Sequence, residues 1–349
     1  MRSGSQCHEL LARKGAVMST KYRSSIGPVI RRFVALKQSL GLSYFEQAKI
    51  LLSLDRFLAD HRESFRDLSA EAFREWCKSF TRLQDSTRRL WMQTVRDLCL
   101  YRRRIEPGCF APDKSTFPTR QQSIRPYIFS VSEIQRLLEQ SCCLTRHPYS
   151  SLRPELFRLV IVLLITTGLR HGELLRLTVG DYDQNERTLF IRSSKFHKSR
   201  LLPLRDDVTR EVDSYLNARR RRHLPVTPDT PLVSNSYKGG SAYSSYGLLL
   251  NVKRILKLAN IEKPDGRLPR IHDFRHSFAV NALLRWYRSG VDVQTKLPLL
   301  SAYMGHVNIG STYYYLHFVE PLAALASKRF ASYYGALVSC PAKQKGGSR

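Results

Sequence analysis

Apolar residues return at steps of three and four from Ile26 onward: Val29, Phe33, Leu36 and Leu40 make one stripe, and Gly41 ends it. The period recurs from Tyr44 to His61 through Ile50, Leu51, Leu54, Phe57 and Leu58. Ser69 stands where a cap is needed for a third helix carrying Phe73, Trp76 and Phe80. Asp85 or Ser86 caps a fourth, which runs to about Arg104 and buries Leu90, Val95 and Leu98. Four amphipathic helices in so short a stretch bury their stripes against one another as a small bundle.

From Pro107 to Pro126 the period is lost and four prolines appear, as in an interdomain linker. Ser130 and Glu133 then have the spacing of a capping box, each satisfying the other's free amide at a helix start, and a second domain opens there. Leu156 to Thr167 is almost continuously apolar, as in a helix surrounded by core, and Gly168 ends or bends it. Thr188 to Ile191 and Leu201 to Leu204 read as strands flanking the polar turn Ser193 to Arg200, a hairpin with Lys195 and Lys198 near its tip. Arg219 to Arg222 closes a further helix as a solvated or phosphate-facing run. A Ser/Gly-rich loop, Val233 to Tyr246, leads to a helix from Leu248 to Leu258. Glu320 to Leu337, with Leu322, Leu325, Phe330 and Tyr333, reads as a last helix.

The expected fold is therefore mainly α with a small antiparallel β-sheet. Residues 1–25 are a flexible N-terminus, with Met18 a second candidate start, and 26–106 form the helical domain. Residues 107–126 are the linker, 127–338 a mixed α/β domain and 339–349 a flexible tail.

Charge narrows the function. The 349 residues carry a formal net charge of +28, and nucleic acid is the commonest partner of so basic a chain. The fourth helix concentrates it in Arg88, Arg89, Arg96, Arg102, Arg103 and Arg104, a run suited to DNA phosphates. No apolar run is long enough to span a membrane, and the first residues lack an apolar signal core. Seven cysteines without a Cys-x-x-Cys pair fit reduced thiols, so the expected location is cytoplasmic, at the nucleoid.

Candidate chemistry concentrates between Ile271 and Tyr315. His272 and Arg275 share one helix face, so both can donate to one anion. Upstream, Arg170 follows Gly168 and has Glu173 one turn on; a guanidinium held by a carboxylate is aimed, and its fork can grip two phosphate oxygens, although the same pair is also a plain salt bridge. His272 and His276 are spaced i, i+4, but neither a third ligand nor a glutamate base accompanies them, so no metal or other cofactor is expected. Of the adjacent Tyr313, Tyr314 and Tyr315, helical geometry lets only one hydroxyl face a given point.

The ordered set Arg170, Lys195, His272, Arg275, His306 and Tyr315 resembles the tyrosine recombinase (phage integrase) family in residue type, in order and mostly in spacing. The resemblance is close over about residues 125 to 335 and extends only to layout before that. It implies a core-binding, SAM-like helical domain ahead of a catalytic domain. It also implies that Arg170, His272, Arg275 and His306 bind the scissile phosphate, that Glu173 and His276 support them, and that Tyr315 is the nucleophile, with Tyr314 next in line. Lys195 would protonate the leaving oxygen, with Lys198 in reserve and also a DNA contact. Two departures stand out: Ser194 replaces a glycine, and the Arg275 to His306 interval is longer than usual around Trp286 to Leu297.

The reaction implied is site-specific strand exchange through a 3′-phosphotyrosyl adduct and a Holliday junction, by an integrase or transposase-like recombinase of a mobile element. Its partners would be double-stranded DNA carrying recombination sites, further copies of the chain in a tetramer, and sister recombinases or accessory proteins, with no membrane. The helix from Glu320 would dock on a neighbouring protomer or pack on its own domain. A type IB topoisomerase uses the same chemistry alone, and a DNA-binding accessory protein would keep the residues without cleavage.

Overall fold

The computed structural model describes residues 22–119, 125–192, 199–237, 240–306 and 308–318. The chain divides into two compact units with the boundary between residues 124 and 125. The N-terminal unit holds four helices, α1 (Gly27–Ser39), α2 (Phe45–Asp60), α3 (Ala70–Lys78) and α4 (Asp85–Arg102). Ile30, Phe33, Leu51, Leu54, Trp76, Val95 and Leu98 meet in its core, each worth about 1.5–3 kcal/mol when fully removed from water. Ser69 caps α3 by accepting from the Ala72 amide at 3.1 Å. Buried Asp55 on α2 accepts from the Ser24 hydroxyl at 2.6 Å and the Ser24 amide at 3.0 Å, tying the entry of α1 to α2.

Several local expectations for this unit need correction. Leu36, Leu40 and Leu90 lie on the solvent side, because α1 stops at Ser39 and α4 turns Met92 and Thr94 inward instead. Neither Asp85 nor Ser86 caps α4; Gln84 precedes it without a side-chain cap. Phe117, inside the stretch expected to be linker, is buried in this core with Phe110 and Ala111 alongside.

The C-terminal unit is built round α6 (Arg153–Thr167). Ten of its residues are buried, as expected of a helix that is apolar on every side. It packs against α5 (Val131–Cys142), α8 (Asp206–Arg221) and α10 (Ile271–Arg288). The Ser130 and Glu133 capping box opens α5 as expected. A short α7 (His171–Arg176) leads to a three-stranded antiparallel sheet of β1 (Tyr182–Asp183), β2 (Thr188–Ile191) and β3 (Arg200–Pro203) in that order. Leu189 pairs with Leu202 on the buried face, while Phe190 pairs with Leu201 on the open face. α9 (Ser245–Leu258), α11 (Val293–Met304) and α12 (Gly310–Tyr313) complete the described elements, with a 3-10 turn at Tyr314–Phe318.

Two further expectations change here. Arg219 is 1 % exposed, not part of a solvated run. It donates to the Pro225 and Pro231 carbonyls and, at 2.7 Å, to the Ser234 hydroxyl, and so anchors the loop between α8 and α9. Arg220, Arg221 and Arg222 are exposed. The long interval after Arg275 leaves the helices intact: α10 runs to Arg288, Gly290 turns the chain at φ 80°, and Asp292 caps α11. Lys195, Lys198 and the helix expected from Glu320 lie outside the described residues.

Candidate active site

Two helix ends and two helix starts converge on one cleft. α6 ends at Gly168, whose φ of 60° suits glycine and where a Cβ would stand 2.5 Å from the Phe278 ring. The chain can then turn at once into α7, with Arg170 at its N-cap position. The Arg170 amide donates to Glu173 Oε2 at 3.0 Å, and its Nη1 to Oε1 at 2.8 Å. α10 starts in the same way, its Arg270 amide donating to Asp273 Oδ2 at 2.7 Å. One turn further on, Arg275 is 1 % exposed.

The end of α11 organises the guanidinium groups. Gly305, at φ 66°, lets the His306 amide donate to the Ser301 carbonyl at 2.9 Å and its own amide to the Ala302 carbonyl at 3.0 Å. This Schellman closure leaves the next three carbonyls without helical partners. Tyr303 O accepts from Arg200 Nε at 2.8 Å, Met304 O from Arg275 Nη2 at 2.6 Å, and Gly305 O from Arg170 Nη2 at 2.9 Å. Arg275 Nη1 also donates to Gly168 O at 2.6 Å. Cations are favoured at this end of a helix, by up to ~2 kcal/mol where partly buried. Glu173 is the carboxylate shared by Arg170 and Arg200. Burial opposes its ionisation, yet hydrogen bonds from Arg200 and the Arg170 amide overcome that and hold its pKa at about 2. Three guanidiniums and one carboxylate leave positive charge for an anion. Burial, and then Arg170, push Arg275 down to about 10, still charged at neutral pH.

The aromatic groups lie across this cleft. His272 is at its open side, 4.7 Å from the His276 ring centre. His306 Nδ1 and the buried Thr312 hydroxyl are 2.8 Å apart, which fixes that ring and leaves Nε2 as the nitrogen for the cleft. Tyr315 is 3 % exposed, with its ring stacked 6.1 Å from His306 and tilted 5.4 Å from His276. Burial raises the Tyr315 pKa, while the charge and hydrogen bonding of Arg275 act downward. Burial first, and then the arginines or the neighbouring histidine, bring His306 and His276 to about 4 and lower His272. In the free protein the imidazoles are therefore neutral donors at pH 7, and the positive charge belongs to the arginines.

Arg170, His272, Arg275, His306 and Tyr315 thus line one cleft, joined by His276 and Tyr314. Tyr313 does not line the cleft and is 45 % exposed. The α4 arginines have partners within their own unit: Arg88 with Asp85, Arg89 with Pro118 O, Arg96 with Pro112 O, Arg102 with Asp67 and Glu106, and Arg103 with Cys109 O. The sequence reading missed Arg200, Thr312 and Asp273. Asp273 stands three residues after Arg270, the same spacing as Arg170 and Glu173, and was findable; Arg200 and Thr312 carry no local signal.

Residues 129–320 match the model described as the phage integrase family. A Sinorhizobium fredii protein named for an inferred integrase/recombinase role is 32% identical over 302 residues, covering 84% of this chain and 93% of its own length. The tyrosine recombinase XerC 2 of Ralstonia nicotianae is 28% identical over 290 residues, covering 74% of this chain and 78% of its own. Among solved structures, the XerH site-specific recombinase bound to palindromic difH substrate aligns with a TM-score of 0.62 over 90% of this chain and 92% of that one, at 19% identity. The Tn1549 transposon integrase in complex with a circular intermediate DNA gives a TM-score of 0.58 over 82% and 94%, at 17% identity. The cleft therefore sits on the fold of these enzymes, and the family model and the Sinorhizobium relative show that this chain belongs to the phage integrase family of tyrosine recombinases.

Proposed function

We propose that this recombinase breaks and rejoins DNA through Tyr315, with Arg170, Arg275, His272 and His306 holding the scissile phosphate. The observation that carries the reading is the meeting of these five side chains in one cleft from positions far apart in the chain. The Tyr315 oxygen bonds to phosphorus, the bond to the 5′ oxygen breaks, and the 5′ oxygen takes up a proton. The strand is left with a 3′-phosphotyrosine and a free 5′-hydroxyl. Charge grows on the nonbridging oxygens in the transition state, and the guanidiniums pinned to α11 meet it without reorganising. The imidazoles donate to the same oxygens as neutral groups, and phosphate binding favours their protonated forms. Tyr315 is a weak nucleophile while buried and protonated, so the positive charge of Arg275 beside it is what favours its phenolate, and the phenol proton leaves to solvent water. Lys195 is the proposed donor to the leaving oxygen.

The adduct conserves bond energy, so a 5′-hydroxyl from another duplex can reverse the step and exchange strands. Pairing two duplexes requires several copies on DNA, and a tetramer passing through a Holliday junction is the assembly proposed. A net charge of +28 supplies the nonspecific affinity for the duplex. The test uses supercoiled plasmids carrying two copies of a duplex enriched by binding selection, or none. Recombinant products from the first, with the second left supercoiled, support strand exchange. Relaxation of both by single copies of the protein identifies a topoisomerase.

A further inference from the structure

Arg200 begins β3 and does not line the cleft, yet only 11 % of its side chain is exposed. Its Nη2 donates to Glu173 Oε2 at 2.8 Å, its Nη1 to Oε1 at 3.2 Å, and its Nε to the Tyr303 carbonyl at 2.8 Å. The guanidinium also rests on Gly305, where a Cβ would stand 2.7 Å from Nη1. One rigid fork thus touches the carboxylate that aims Arg170 and the turn from which His306 emerges.

We propose that Arg200 is a positioning residue for the cleavage reaction, setting Arg170 through Glu173 and His306 through the end of α11; this rests on the function proposed above. Glu173 has two oxygens and two arginine partners. With Arg200 in place, Arg170 takes one carboxylate oxygen through Nη1 and one carbonyl through Nη2. Without Arg200, only the Arg170 amide still holds Oε2, and the carboxylate can pivot about that bond to present both oxygens to the Arg170 guanidinium as a fork-to-fork pair, which draws that guanidinium away from the phosphate. The Tyr303 carbonyl loses its partner at the same time, and the Gly305 turn loses the surface it leans on. Lysine cannot replace the fork, since a single ammonium does not reach both Glu173 oxygens and the Tyr303 carbonyl in that plane.

The experiment measures single-turnover covalent trapping on a nicked duplex, at saturating protein, for the native chain, Arg200→Gln, Arg200→Lys, Arg170→Ala and Arg200→Gln/Arg170→Ala. Arg200→Gln should slow trapping roughly 10- to 100-fold while duplex affinity stays within about 2-fold, because the loss falls on the transition state. Arg200→Lys should recover only part of the rate. On the Arg170→Ala background, Arg200→Gln should slow trapping by less than about 3-fold further, since the group it positions is gone. Fully multiplicative losses, or an affinity loss as large as the rate loss, would overturn the proposal. Thermal unfolding of Arg200→Gln, Glu173→Gln and the double variant tests the contact without using the reaction: the shifts should be non-additive, and additive shifts also overturn it. If the native chain forms no adduct, the recombination reading fails and the positioning role falls with it, while a non-additive unfolding cycle places the error in that reading rather than in the contact.

Discussion

Replacing Arg275 by methionine separates what this side chain does for the fold from what it does for the reaction. Its pKa is held at about 10 against an ordinary 12.5, by burial and then by Arg170. A base whose pKa falls on folding is charged in both states below about pH 10, so the whole penalty is present at working pH. At about 1.4 kcal/mol per pKa unit the penalty is roughly 3 kcal/mol, and methionine removes it. Against this, the Gly168 and Met304 carbonyls lose partners at 2.6 Å, a loss of about 1–3 kcal/mol each. The terms oppose each other. Arg275→Met should therefore leave stability between about 1 kcal/mol higher and about 3 kcal/mol lower, a fall of at most about 10 °C in melting temperature for a unit of this size. Cleavage should fall by at least about 1,000-fold, because a buried donor to the developing charge is gone. Circular-dichroism melts and covalent trapping on the same preparation measure both. A fall of more than about 10 °C would show that Arg275 is a structural clamp, and near-native trapping would remove it from the phosphate site.

The buried histidines predict an acid-sensitive fold. Unfolded imidazoles take up protons near pH 6.5, whereas His276 and His306 resist until about pH 4. Stability should therefore fall between those values and gain nothing from these groups on going lower, with roughly 3 kcal/mol from His276 and less from the more exposed His306. Urea unfolding at pH 7.5 and pH 4.5 should show a smaller loss for His276→Gln, and an unchanged loss contradicts the assignment. Gly305→Ala forces a side chain to φ 66° and into Arg200, costing about 1–2 kcal/mol in backbone strain alone. It should lower the melting temperature and slow trapping by about 10-fold or more; native behaviour in both would show that the turn is not needed.

Periodicity made most helices legible because burial on one side of a helix writes itself into sequence at steps of three and four. It erred where that pattern ran past a helix end, as at Leu40, or where another face turned inward, as at Leu90. Arg219 was misread because a run of four arginines looks solvated, and only the loop folded over α8 supplies its acceptors. The residues proposed to hold the phosphate could be named because the ordered set Arg170, His272, Arg275, His306 and Tyr315 resembles that of the tyrosine recombinase family. Their supports were harder to see: Arg200 lies 27 positions from Glu173 and 103 from Tyr303. Sequence residues also carry no protonation state, so the neutral state of the site's imidazoles was not legible in them.

Covalent attachment of Tyr315 to DNA is the step on which the proposed function rests. A nicked duplex carrying the selected site lets the cleaved strand diffuse away, so the adduct accumulates and can be resolved on a denaturing gel. The native chain and Tyr314→Phe should both give a 3′-linked adduct, and Tyr315→Phe should give none while still binding the duplex. An adduct that persists in Tyr315→Phe, or native protein that binds the site without ever forming one, would contradict the account.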